Sequence, residues 1–152
     1  MSDQIAPPLD IDLNSVDTSM PLIADGQLVD FTLVKVEKVK TKAGGDMLSI
    51  QHKSITPTKA ADGKDLFPGV LVFGNLNLAP SGKGTWDMVV RNIAAITQAA
   101  GITGTLAEFL NGGWQQLQGK TVRGKVHYVP EGPDKTGVVR KAKNEISLYI
   151  KP

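Results

Sequence analysis

Cations interleaved with aromatic rings on strand-like segments are the chemistry-bearing feature of this chain. In its last third, Val122, Gly124, Val126 and Tyr128 alternate with Arg123, Lys125, His127 and Val129. Further on, Ile146, Leu148 and Ile150 alternate with Glu145, Ser147, Tyr149 and Lys151. If the aliphatic members face a core, then Arg123, Lys125, His127, Tyr149 and Lys151 share the outer faces of neighbouring strands. Lysine and arginine pair with phosphates, while a ring stacks on any base, so the set suits a single-stranded nucleic acid of any sequence. Tyr149 is the ring expected to stack. The loop between these strands is itself basic, with Arg140, Lys141 and Lys143. A second basic group, Lys35, Lys38, Lys40 and Lys42, leads into a glycine turn, and Lys53 lies on the strand beyond it. Phe73 fits a stacking platform and a core position equally well. Trp86 and Trp114 sit on or near helical stripes and read as packing. A solvated exterior accounts for any one of these residues taken singly.

Other chemistries find less support. Ser81-Gly82-Lys83-Gly84-Thr85 precedes a helical pattern and hints at a phosphate loop. The full pattern needs glycine where Asn77 stands and serine or threonine where Gly84 stands. No carboxylate pair or Ser/His/Asp set has a spacing that suggests catalysis, so the expectation is a binding protein rather than an enzyme. The chain has no cysteine and only His52 and His127, which excludes thiolate chemistry, disulfides and a multi-histidine metal site. No cofactor is expected.

The elements that would position the cations are mostly strands. Val29, Phe31 and Leu33 alternate with polar neighbours, and the apolar phase then slips to Val34 and Val36, followed by Val39, which predicts a β-bulge. After the turn, Leu48 and Ile50 face inward on a second strand, and residues 57–68 read as a loop centred on Asp62-Gly63. Val70, Leu71, Val72, Phe73, Leu76 and Leu78 give a third strand. Thr85 is a plausible N-cap for a helix whose stripe is Trp86, Val89, Val90, Ile93, Ile96, Thr97 and Ala100, ended by Gly101. Thr105-Leu106-Ala107-Glu108 is a capping box for a short second helix, stopped by Gly112-Gly113, with Leu106, Phe109 and Leu110 on its core side. Two strands and the intervening loop at residues 130–143 complete the chain. The order strand, strand, strand, helix, strand, strand is that of the five-stranded oligonucleotide-binding barrel. In that barrel the loop joining the first two strands and the loop joining the last two flank the binding face, so both basic groups would border one groove.

Composition agrees with one domain of 152 residues able to bury a core without staples. Residues 1–25 carry Pro7, Pro8, Pro21 and scattered acids, and read as an extended acidic arm, pinned by Ile11 and Leu13, before a domain at 26–152. Six of the 15 acids (Asp3, Asp10, Asp12, Asp17, Asp25, Asp30) precede residue 35, and all 17 bases lie from Lys35 onward. The nine later acids leave that stretch a surplus of eight positive charges, which favours a polyanionic partner. No secretory signal or membrane span is visible, so a cytoplasmic location is expected.

Thr41-Lys42-Ala43-Gly44-Gly45-Asp46-Met47-Leu48 resembles the first hairpin of a family of small bacteriophage single-stranded DNA-binding proteins. Gly119-Lys120-Thr121-Val122 and Lys143-Asn144-Glu145-Ile146 resemble the starts of that family's last two strands. The resemblance runs in order and spacing from about residue 26 to 151. It implies an oligonucleotide-binding barrel that coats single-stranded DNA during phage replication or recombination, with replication or recombination proteins as further partners. The chain departs from many replication proteins of this kind in having its acids at the N-terminal end. Monomer and homodimer both remain open. The competing class is a barrel of the same type that binds a protein, such as a host polymerase or a virion component.

Overall fold

A computed structural model describes residues 9–10, 12–15, 22–42, 44–80 and 84–152. Most of the proposed arm, with Asp3, Asp17, Ile11 and its prolines, lies outside the described residues, as do Ser81, Gly82 and Lys83 of the glycine-lysine loop. The chain runs β1 (Leu28–Lys40), β2 (Asp46–Ser54), β3 (Thr58–Lys59), β4 (Asp65–Leu66), β5 (Leu71–Asn77), α1 (Trp86–Ala100), α2 (Leu106–Leu110), β6 (Thr121–Val129), β7 (Gly132–Pro133), β8 (Val139–Arg140) and β9 (Lys143–Ile150). Short 3-10 turns occupy Leu13–Ser15 and Gly113–Leu117. The protein is mostly β, as expected. The two segments read as plain loops each fold into a two-residue ribbon, β3 with β4 and β7 with β8.

Five antiparallel strands form one sheet in the order β5-β2-β1-β6-β9. The expected slip in β1 is a register shift between Leu33 and Lys35. It sends Val29, Phe31, Leu33 and Val36 to the same buried side while Val34 and Lys35 turn outward. Val34, expected on the apolar face, is thus the residue the bulge expels. Leu48 and Ile50 of β2, Val72 and Leu76 of β5, and Val122 and Val126 of β6 complete the sheet's side of the core. Burying one such aliphatic side chain stabilises the fold by about 1.5–3 kcal/mol.

α1 closes the core from below with Val89, Ile93, Ile96 and Ala99, and packs on β9, β6 and β5. Thr85 caps its N-terminus by accepting from the Met88 N–H, and Gly101 takes the left-handed φ of 72° that ends it. The capping box of α2 forms as expected, with Thr105 and Glu108 exchanging hydrogen bonds and Phe109 buried. Trp114 packs partly buried against the core. Trp86 does not pack as expected: it is 49% exposed, and Met88 and Val90 beside it are exposed too. The buried stripe runs one position around from Trp86 and Val90, through Val89, Ile93 and Ile96. Among the described residues no helix is long and apolar enough to cross a membrane.

The arm ends earlier than its composition suggests. Ile23 is fully buried in the core and bridges to Ala60. Its backbone N–H donates to Asn144 Oδ1 at 2.7 Å, and Asn144 Nδ2 donates back to the Ile23 carbonyl at 2.8 Å. Residues 22–25 therefore belong to the body. Leu13, expected to pin the arm, is exposed.

Candidate nucleic-acid interface

Register decides which side chains share the outer face of the sheet. Opposite residues of antiparallel strands project to the same side. Phe73 lies opposite Gln51, and Gln51 opposite Lys35, so β5, β2 and β1 set a ring, an amide and a cation in one row. The row above holds Leu71, Lys53 and Thr32, and the row below holds Asn75, Ser49 and Glu37. Phe73 is 52% exposed, which places the ring outside the core. On the other flank, Leu28 lies opposite Lys125, and Asp30 opposite Arg123. The alternation in β6 thus holds as expected, with Arg123, Lys125 and His127 outward.

Acids deplete this array of free charge. Arg123 donates from Nε to Asp30 Oδ1 at 2.8 Å and from Nη2 to Oδ2 at 3.4 Å, a fork that commits the guanidinium. His127 Nδ1 lies 2.8 Å from Asp25 Oδ1, which also accepts the Tyr128 N–H at 2.8 Å. That backbone bond, with His127, holds the Asp25 carboxyl below its usual range. Lys38 and Lys40 both reach Asp46, at 3.6 and 2.6 Å, and the hydrogen bond from Lys40 lowers the Asp46 pKa. Lys35 meets Glu37 at 3.2 Å, Lys143 meets Glu145 at 3.0 Å, and Arg140 meets Asp134 at 3.0 Å. Hydrogen bonds from the Thr136 hydroxyl and then Arg140 bring Asp134 down to about 2. Among the described residues, Lys42, Lys53, Lys125, Lys141 and Lys151 form no ion pair.

Tyr149 is where the sequence expectation fails. The register between β6 and β9 shifts so that Lys125 faces Leu148 and Val126 faces Ile146, leaving Ser147 as an extra residue. Its Oγ donates to the Lys125 carbonyl at 3.2 Å. Beyond this bulge the phase inverts: Leu148 and Ile150 are 50% and 36% exposed, while Tyr149 turns in against the core. Its ring stacks on His52 with centroids 5.7 Å apart and planes at 24°. Burial also raises the phenol's pKa above its ordinary value. Tyr149 cannot serve as an outer stacking platform while it holds this position.

His52, unassigned by the sequence, is fully buried and in phase with Leu48 and Ile50. Its Nδ1 lies 2.9 Å from the Val72 carbonyl, so that nitrogen carries the proton. Nε2 then accepts from the Tyr149 hydroxyl at 2.7 Å. Gly74 lies directly over this ring, since a Cβ there would stand 2.9 Å from His52 Cε1. The pair matters because the sheet is open. β5 pairs only with β2, and β9 only with β6, among the described residues. The two edges instead line opposite sides of a groove of about 560 Å³ that runs from Phe73 to Lys143. A side-chain bond from β9 to β2 crosses where a ladder would otherwise run.

Neither the edge groove nor a second hollow brings the two expected basic groups together. Arg140, Lys141 and Lys143 gather with His127 around that second hollow, which Glu131, Asp134 and Glu145 also line. Lys38, Lys40 and Lys42 belong to the β1–β2 hairpin and line neither that hollow nor the edge groove. Arg91 and Asn92 of α1, with Asn75 and Asn77, were not singled out by the sequence reading, and all four line the edge groove. The alternation Asn75-Leu76-Asn77 carries the signal for the strand amides. Arg91 carries none, because it lies off the buried stripe. No protein-family model and no curated protein matches the chain.

Proposed function

We propose that this protein binds single-stranded DNA with little sequence dependence, through an oligonucleotide-binding barrel left open at one seam. The strand order and the helix between the third and fourth long strands agree with that barrel type. One observation carries the functional reading: an exposed aromatic, Phe73, aligned with Gln51 and Lys35 and flanked by the unpaired Lys53 on the outer face of β5 and β2. A ring can stack on any base, the amide can bond a base edge or sugar, and the lysines can meet phosphates. The contacts are to be made in phage replication or recombination, in keeping with the hairpin and strand motifs of the sequence.

Fluorescence anisotropy with an oligonucleotide and its matching duplex tests the reading. The single strand should bind more tightly, with a log–log salt slope of about −2 to −3 if roughly three or four phosphates are met, at ~0.7 each. Phe73→Ala should weaken binding by about fivefold or more and leave that slope unchanged, since stacking is worth roughly 1–3 kcal/mol per base. Equal or tighter binding to duplex overturns the proposal.

A second reading, a protein partner, draws on the exposed Trp86, Met88 and Val90 at the start of α1. Trp86 and Val90, one turn apart on the helix, share an exposed apolar face of the kind that marks protein contacts. A flat salt titration would favour it as the main function.

A further inference from the structure

The open seam is built unlike a sheet edge that merely faces water. Its floor and walls carry four amides, of which Asn144 is committed to the Ile23 backbone while Asn75, Asn77 and Asn92 are not, and two cations, Arg91 from the helix and Lys143 from the opposite strand. Arg91 is exposed and has no carboxylate partner among the described residues, whereas Lys143 is held at 3.0 Å by Glu145, which also lines the groove. Phe73 stands at one lip. The volume, about 560 Å³, is within the range that takes small organic ligands. Neither strand has a second ladder, so backbone donors and acceptors along both edges are available as well.

We infer that the seam between β5 and β9 is a second segment of the DNA track, in which a nucleotide beyond the one stacked on Phe73 turns around the β5 edge and lodges against α1. The inference rests on the proposed single-strand binding. An amide donates and accepts at once and so matches the edge of any base that offers both. The Arg91 guanidinium presents a planar fork suited to a phosphate, and being unpaired it gives up no ion pair on binding. An extended peptide is the other occupant that two free edges could take. The choice of a nucleotide rests on the unpaired Arg91 guanidinium and the amides of Asn75, Asn77 and Asn92, which suit a phosphate and base edges and stand among the apolar Phe73, Leu76, Ile146 and Leu148.

The test compares oligothymidylates of about 5 and about 12 nucleotides, lengths near the two ends of what one barrel of this type covers. Phe73→Ala should weaken both. Arg91→Ala should bind the short strand like the unaltered protein and the long strand about threefold to fivefold more weakly, with the long-strand salt slope reduced by ~0.7. Arg91→Lys should restore that slope. Arg91 is exposed on the helix, so these variants keep the fold, which circular dichroism checks. If Arg91→Ala matches the unaltered protein at both lengths while Phe73→Ala is weak, the seam carries no DNA, and its edges are left to a peptide. Equal loss at both lengths also overturns the inference, by making Arg91 part of the first segment. Failure of the unaltered protein to bind either strand removes the proposed function and this inference together.

Discussion

His52 packs its ring between Phe31, edge-on at 73°, and Tyr149, with no surface left to water. Burial holds its pKa at about 4 against an ordinary 6.5, and the bond to the Val72 carbonyl only partly offsets that. The unfolded chain therefore takes up this proton as pH falls through 6.5, whereas the folded protein resists until about 4. Stability should fall across that interval, by about 3 kcal/mol in total, and the group should add no further loss below it. Urea denaturation at pH 7, 5.5 and 4 measures the fall, and His52→Gln should remove most of it; an unchanged profile would sink the assignment. The carboxyls of Asp25, Asp46 and Asp134, all lowered, lose their contribution in a separate step that begins near their unfolded value of 3.8. Tyr149→Phe keeps the ring but leaves Nε2 of His52 buried without a donor, so it should cost about 1–3 kcal/mol. A loss under half a kcal/mol would mean that water replaces the hydroxyl. The inward phase of His52 is legible in its spacing from Leu48 and Ile50. Its partner is not, being 97 residues away along the chain.

Both long-strand bulges move side chains between faces, yet only one can be read from the sequence. At Leu33-Val34 two apolar residues adjoin, and the broken alternation announces the slip. At Ser147 the alternation of Ile146, Leu148 and Ile150 is unbroken, so pattern alone sends all three inward and Tyr149 out. The backbone bulges regardless, and one physical gain is the donor that it brings to a buried imidazole nitrogen. Upstream of the bulge, β9 is tied down by Asn144, whose amide exchanges two hydrogen bonds with the Ile23 backbone. Asn144→Ala would leave a buried N–H and C=O unpaired, and should cost about 3 kcal/mol by chemical denaturation. A cost under 1 kcal/mol would show that residues 22–25 find other partners. Asparagine in a strand reads as a surface residue, which is why the arm's true end was hidden.

At the scale of the whole molecule, the five long strands, the two α-helices and their caps were legible, because periodicity and end signals are local, whereas the two-residue ribbons within the loops were not. The charge balance was legible only as a sum. The surplus of eight positive charges is spent partly on acids that the sheet brings alongside, such as Asp30 on Arg123 across 93 residues. Which cations stay free depends on register, and register is a property of pairing rather than of any one strand. The open seam has a consequence for the timescale on which the protein exposes its backbone. β1 pairs with β6 over Leu28–Thr32 and with β2 over Phe31–Lys40, so its middle, at Phe31 and Thr32, is laddered on both sides. By contrast, β9 has a ladder to β6 alone, helped by α1 beneath it and by two side-chain ties, Asn144 and Tyr149. Amides in the middle of β1 should exchange with solvent deuterium only on global unfolding, while those of β9, even the ones donating to β6, should exchange earlier through local fraying. Hydrogen-exchange mass spectrometry would show residues 143–150 labelling ahead of the middle of β1, around Phe31 and Thr32. Matching rates would mean that α1 and two side chains hold the last strand as firmly as a full ladder.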